Sequence, residues 1–186
     1  MGLRQAASIH AAQLPPDLRL RPGVPADRPA FIRGILREKL NPLALDPARF
    51  TVAERGRGEN AHVLGFGQIK PLGQQALELS TLIVDESERG KGVGSALIAS
   101  LAAQAGDTPL YLTTLATTAA LYKRHGFEEI ARGEAPPLLQ LEYLIGLGVA
   151  WLVTRQRLVL MRRLGNSAAA QQQRGEQAAG SGGEGR

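Results

Sequence analysis

The sequence predicts an α/β (α+β) fold: a mixed, mostly antiparallel twisted sheet of six to seven strands with helices on both faces. Three observations carry this. Short apolar runs alternate with segments of helical period, the three central runs are separated only by turn-length stretches, and the later runs are separated by helices. The composition agrees with one core and tails, with 44% hydrophobic and 21% charged residues in a chain of 186.

The elements follow in order. "LRLR" (18 to 21) is a short strand, and "PADRPAFIRGILREKL" starts a helix at Asp27 with Phe31, Ile35 and Leu36 on one side. "NPLALDPARF" holds two proline-initiated turns. Three strand runs come next, "RFTVAE", "AHVLGFGQIK" and "QALELSTLIV", joined by the turns "RGRGEN" and "PLGQ". Val93, Leu97 and Leu101 recur at spacing four beside Ala96 and Ser100, which predicts an amphipathic helix ending near Gly106. "PLYLTT" is a buried strand, "TTAALYKRH" a short helix capped by Thr117 or Thr118 and stopped by Gly126, and "GFEEI" a strand. "LLQLEYLIGLGVAWL" reads as a helix and "RLVLM" as a closing strand. The domain is expected over 16–164. A disordered N-terminal segment (1–15) precedes it, and a polar, glycine-rich, low-complexity tail (165–186), also expected to be disordered, follows it.

Charge and residue usage narrow the function classes. The net charge is +5, but residues 154 to 186 hold six arginines against Glu176 and Glu184, leaving +1 for the rest. Aromatic residues are few and are not interleaved with basic ones, so a nucleic-acid partner is not expected. The longest apolar stretch, Tyr143 to Val153, falls short of the roughly 20 residues that span a bilayer, so no membrane partner is expected. Absence of cysteine excludes disulfides and a thiol nucleophile, and it fits a cytoplasmic location. Residues 1–16 contain Arg4 and no acid but lack a continuous apolar core; an organelle-targeting leader, such as a plastid one, is the alternative.

"ERGKGVGSAL" (88 to 97) places a glycine loop between a strand and a helix, where the first helix N–H groups lack internal partners and the dipole is positive. Glycines admit positive φ and close backbone approach to a phosphate, and Arg89 and Lys91 add charge. Spacing excludes two nucleotide motifs. A Walker loop would need Gly where Asp85 stands and Ser or Thr where Gly92 stands, and a Rossmann loop would end on Gly where Ser95 or Leu97 stands. A glycine turn that binds no ligand stays open at this point.

Arg89, Gly92 and Gly94 stand in R-x-x-G-x-G order, and Tyr122, four residues before Gly126-Phe127, lies 28 residues after Gly94. In these features, over about Leu18 to Met161, the chain resembles the GNAT family of N-acetyltransferases. Less specifically, "REKLNPLALD" and the "LVLM" strand resemble a cyanobacterial and plastid branch of that family. The resemblance implies acetyl-CoA as acetyl donor, an amine acceptor (small molecule, protein N-terminus or lysine), and a monomer or homodimer. It implies cofactor binding by Leu82, Ile83 and Val84, whose main chain would pair with the pantetheine arm, and by Arg89, Gly90, Lys91, Gly92, Val93, Gly94 and Ser95 at the pyrophosphate. Thr113 and Thr114 end the strand before the tyrosine helix, a region where many members carry Asn, and the Thr114 hydroxyl can serve pantetheine.

Tyr122 is the candidate general acid, because a tyrosine hydroxyl near pH 10 can protonate a thiolate near roughly 8.5 with little mismatch. A structural aromatic is the alternative. Glu78 is the candidate general base, placed by alternation on one face with Ser80, against the alternative of a solvated strand carboxylate. His125, at a helix C-terminus, reads as a capping residue, and no His/Asp/Glu cluster has metal-ligand spacing. A catalytically weak CoA-binding regulatory module is the alternative to an N-acetyltransferase.

Overall fold

The computed structural model describes residues 17–38, 45–56, 58, 61–144 and 157–165. The expectations for 1–15 and 166–186, for the end of the last helix (145–152), for most of the "REKLNPLALD" loop and for the centre of the "RGRGEN" turn lie outside the described residues. Along the chain run β1 (Leu18–Pro22), α1 (Arg28–Arg37), β2 (Phe50–Arg55), β3 (His62–Pro71), β4 (Leu77–Val84), α2 (Val93–Ala105), β5 (Leu110–Leu115), α3 (Ala119–Lys123), β6 (Glu128–Ile130) and β7 (Leu158–Arg163). Residues 137–144 are helical as well. This is the predicted order.

The seven strands form one sheet in the order β1-β2-β3-β4-β5-β7-β6. The pairs β1/β2, β2/β3, β5/β7 and β6/β7 are antiparallel, whereas β4/β5 is parallel. The parallel pair follows from the connection: α2 carries the chain back between β4 and β5, as a parallel crossover requires. The last strand slots between β5 and β6, which spacing along the chain could not show.

The chain divides into two compact units, Met1–Gln68 with Thr81–Ser100 and Ile69–Ser80 with Leu101–Arg186. In the first, helices cover both faces of the strands. Phe31 and Ile35 of α1 pack with Phe50, Val52, Phe66 and Ile83, whereas Val93 and Leu97 of α2 pack with Ala53 and Leu64. Neighbouring residues such as Val52 and Ala53 thus serve opposite faces, the period of two expected of a strand. A bulge sustains this on β3: Ala53 pairs Gly65 while Glu54 pairs Val63, so Leu64 is the extra residue. Val63 packs beside the α1 cluster and Leu64 in the α2 cluster. Three phenylalanines lock the α1 face, with Phe31 stacked on Phe50 at 4.3 Å between centroids and tilted against Phe66 at 4.8 Å. Gly34 permits this approach, since a Cβ there would stand 2.7 Å from Phe66 Cζ.

Asp27 stands at the N-cap position of α1, as its place before the apolar stripe predicts, yet its carboxylate does not cap that helix. Instead it accepts the Val24 N–H and two bonds from the Arg21 guanidinium at 2.7 and 2.9 Å. Arg21 also donates to Glu54 at 2.6 Å, so one guanidinium on β1 serves two buried carboxylates.

In the second unit, Leu139 of the 137–144 helix packs with Leu72, Ala135 and Leu160, beside partly buried Tyr111, Ile130 and Tyr143. The Tyr143 hydroxyl donates to the Leu158 carbonyl at 3.2 Å. On the other strand positions Leu110, Leu112, Val159 and Met161 are buried, which explains why "PLYLTT" and "RLVLM" read as core strands.

Candidate active site

The glycine loop is built by conformation. Asp85, at the end of β4, accepts the Ser87 N–H at 3.0 Å and the Ser87 hydroxyl at 2.7 Å, opening a short 3₁₀ turn over Glu86–Glu88. The chain then takes positive φ at Gly90 (78°) and Gly92 (87°), where an L side chain is strained. A Cβ on either glycine would meet no atom within 4 Å, so these positions demand glycine for the backbone and leave the space above the loop open. The first closing bond of α2 runs from the Ala96 N–H to the Gly92 carbonyl at 3.0 Å. By helix geometry the N–H groups of Val93, Gly94 and Ser95 therefore head the helix without intrahelical partners. That arrangement suits an anion with several acceptor oxygens. Gly94 lies within α2 and is not among the positive-φ glycines, and the Val93 side chain is fully buried in the core, so only the backbone of either can serve a ligand.

The charged residues of the loop are already partnered. Glu88, which sequence reasoning left unassigned, is buried and takes a two-pronged grip from Arg55 of β2 at 3.2 and 3.1 Å. The guanidinium holds its carboxyl below the usual range, and Lys91 stands 3.4 Å away. Glu88 thereby ties the loop to β2. Arg89 donates to the Val84 carbonyl at 3.2 Å and forms an ion pair with Glu38 just beyond α1. The Val84 carbonyl is accordingly engaged in this structure, a partner the strand-pairing expectation for Leu82 to Val84 did not include. Nothing in the spacing of Glu38 or Arg55 announces these contacts, because both arrive from distant strands and helices.

The β4/β5 ladder pairs Leu77 with Leu110 and Glu78 with Tyr111. Among the described residues the β4/β5 ladder ends at Glu78 while β4 continues to Val84, so main-chain groups beyond Glu78, apart from the Val84 carbonyl held by Arg89, suit an added strand. Ile83 is buried against α1 and Leu82 and Val84 lie against α2, which leaves the backbone as the part of these residues available to a ligand.

Tyr122 sits in a capping arrangement that explains the Tyr/Gly-Phe spacing. Gly126 takes φ 81°, its N–H bonds the Lys123 carbonyl at 3.1 Å, and the Phe127 N–H returns to the Tyr122 carbonyl at 3.2 Å. This is a Schellman-type helix end, and its usual apolar contact is the edge-on pair of the Tyr122 and Phe127 rings at 5.8 Å. The ring is thus packed against Phe127, and the residue is only 8% exposed. Burial pushes the Tyr122 hydroxyl up to about 12, against a smaller opposing effect of its hydrogen bond with Thr114. Thr114 also lies 2.6 Å from the Thr118 hydroxyl. Thr118 occupies the N-cap position of α3 but does not cap it, since its hydroxyl donates to the Leu115 carbonyl at 2.9 Å. His125 is held below its ordinary value by burial and by Arg124.

Glu78 is buried, contrary to the solvated alternative. Its Oε2 lies 3.1 Å from Lys70 Nζ, which also contacts Glu142 at 3.3 Å. Burial raises the Glu78 carboxyl above the usual range, with Lys70 opposing and Glu142 reinforcing. The Ser80 and Thr113 hydroxyls are buried without hydrogen-bond partners. No group of three or more metal-ligating side chains occurs among the described residues, and no helix there is long and apolar enough to cross a membrane.

Residues 46–129 match the acetyltransferase (GNAT) domain. The match covers a little under half of the chain, and the mixed seven-stranded sheet with its helices is consistent with the GNAT fold. Solved structures share the fold. N-acetylglutamate synthase from Neisseria gonorrhoeae, complexed with coenzyme A and L-arginine, superposes with a TM-score of 0.61 at 17% identity over 80% of this chain. This chain spans 33% of that protein's length. Rv2747 from Mycobacterium tuberculosis, in complex with CoA and NLQ, gives 0.62 at 23% identity over 78% of this chain and 98% of its own. A GNAT-family acetyltransferase from Staphylococcus aureus gives 0.54 at 17% identity, covering 79% and 98%. No curated protein matches the sequence. These comparisons carry the acetyltransferase domain and give no support to the cyanobacterial and plastid branch.

Proposed function

We propose that the chain is an acetyl-CoA-dependent N-acetyltransferase that passes the acetyl group directly to an amine within a ternary complex. The observation that carries this is the loop of positive-φ glycines opening α2, whose N–H groups and open space fit a pyrophosphate. Two solved structures of the same fold contain coenzyme A, which supports the same ligand here.

In this reading, the backbone from Gly90 to Ser95 holds the pyrophosphate, with Arg89 and Lys91 supplying positive charge. The main chain of Leu82 to Val84 aligns the pantetheine arm, with Arg89 giving up its bond to the Val84 carbonyl where the arm needs that group, and with a hydroxyl contact from Thr114. Acetyl-CoA supplies an activated carbonyl carbon. The amine nitrogen bonds to that carbon, the carbon–sulfur bond breaks, the amine proton passes to Glu78, and the thiolate leaves. Glu78 suits its part because burial raises its proton affinity above that of an ordinary carboxylate, which makes it a better proton acceptor.

The part of Tyr122 changes with its environment. From a hydroxyl at about 12 to a thiol near roughly 8.5, complete proton transfer is uphill by about 5 kcal/mol. Tyr122 therefore acts first as a hydrogen-bond donor to charge developing on sulfur, and it keeps its proton throughout the neutral range for that purpose.

The test is acetyl-CoA consumption against a panel of primary amines and peptides that includes L-glutamate, because one structural neighbour is an N-acetylglutamate synthase. Calorimetric CoA binding runs in parallel. Binding with acetylation of a panel member supports the reading. Binding without acetylation of any amine in the panel or in co-expressed protein would favour the regulatory CoA-binding module.

A further inference from the structure

Three elements of the second unit bring one ammonium between two carboxylates. Lys70 near the end of β3 lies 3.1 Å from Glu78 Oε2 on β4 and 3.3 and 3.4 Å from the two carboxylate oxygens of Glu142 on the 137–144 helix. Glu78 is 6% exposed, and its Oε2 has no aligned hydrogen bond despite the nearby ammonium. The charge of Lys70 is thus shared between the two carboxylates. Glu142, more open to solvent, takes the hydrogen bonds. Lys70, Glu142 and Tyr111, the ladder partner of Glu78, are the titratable groups described as facing it.

We propose that Lys70 and Glu142 are positioning residues for proton removal from the acceptor amine, acting through Glu78. The proposal rests on the reading of Glu78 as the base. Each neighbour corrects the other. Lys70 alone beside Glu78 would stabilise the carboxylate and make it a poor proton acceptor, whereas Glu142 alone would crowd a second negative charge against a buried one. With the ammonium shared between Glu78 and Glu142, the Glu78 carboxyl keeps a raised proton affinity beside a cation. The same anchoring ties the end of β3 and the helix to the carboxylate and so fixes its orientation. Burial and Glu142 raise the Glu78 carboxyl and Lys70 lowers it, in agreement with this division of roles.

The experiment is a carbon-13 NMR titration of side-chain carboxyls in the full chain, with Glu78→Gln assigning the signal. Lys70→Met is expected to raise the Glu78 midpoint by about one pH unit or more, Glu142→Gln to lower it, and Lys70→Arg to restore it to near wild type. Should Lys70→Met fail to fold, the other two variants carry the comparison. Midpoints that coincide in all variants overturn the control of Glu78 by this cluster and leave its reading as base untouched. The companion measurement is the pH dependence of acetyl transfer to the fastest amine of the panel, whose acidic limb is expected to follow the NMR midpoints. Midpoints that move while the acidic limb stays fixed overturn Glu78 as the base, and with it the positioning role.

Discussion

At the scale of single residues, Gly92 and Tyr122 separate binding from chemistry. Gly92 holds φ 87° with empty space around a notional Cβ, so the cost of an alanine there is conformational, about 1–2 kcal/mol, with no clash to relieve. Gly92→Glu adds a negative charge where the pyrophosphate is proposed to lie. It is expected to abolish CoA binding by calorimetry while circular dichroism shows a folded chain, and near-normal affinity would remove the loop from the site. Tyr122→Phe keeps the ring contact with Phe127 and loses only the hydroxyl. A fall in kcat of about 100-fold with unchanged CoA affinity is expected, whereas an equal rate would leave Tyr122 only its helix-capping role. Because burial holds the hydroxyl at about 12, it stays protonated from pH 6 to 10. The ratio of wild-type to Tyr122→Phe rates is therefore expected to be flat across that range.

At the scale of elements, β1 depends on Arg21. Its guanidinium satisfies Asp27 and Glu54, both buried, while 28% of its own side chain stays in solvent. Arg21→Met leaves Asp27 without its cation and Glu54 with only the more distant Arg19, at 3.7 Å. The expected loss is about 2–3 kcal/mol at neutral pH by urea denaturation, below the roughly 3–5 of a fully enclosed pair. The sign of its pH dependence is set by Asp27, whose carboxyl Arg21 holds below the ordinary 3.8. That contribution is fully present above 3.8 and is lost as pH falls through the folded value, so wild type and variant are expected to converge in acid. A difference that persists at pH 2 would locate the loss in packing. The same elements show what local pattern conveys. The Asp27 helix start, the Gly106 and Gly126 helix ends and the alternation of core strands are short-range signals, and each was legible. What Asp27 does instead of capping was not, because its partner Arg21 lies back on β1, six residues away, and only pairing of β1 with β2 brings Glu54 beside that guanidinium.

At the scale of the molecule, the order of elements was legible because hairpin-length and helix-length connections differ plainly in a sequence. The strand order was less so: placing β7 between β5 and β6 joins residues about 30 to 50 positions apart, which no local period records. The site divides the same way. The glycine loop and the Tyr/Gly-Phe helix end are contiguous and therefore visible, whereas Arg55 on Glu88, Glu38 on Arg89 and Lys70 between Glu78 and Glu142 are tertiary pairings of residues 33 or more positions apart, or else neighbours across a turn. If the loop is the anchor for CoA, ligand binding must also appear in the stability of the whole chain, since a ligand that binds only the folded state stabilises it by mass action. At about 100 times Kd the gain is about 2.7 kcal/mol, which for a chain of this size is a rise in Tm of about 5–10 °C. Thermal unfolding with CoA is expected to show that rise in wild type and in Tyr122→Phe, and none in Gly92→Glu. A shift that survives in Gly92→Glu would mean that the ligand is held elsewhere. A shift lost in Tyr122→Phe would make the tyrosine a binding residue, because a group acting only on the departing thiolate leaves ground-state affinity unchanged.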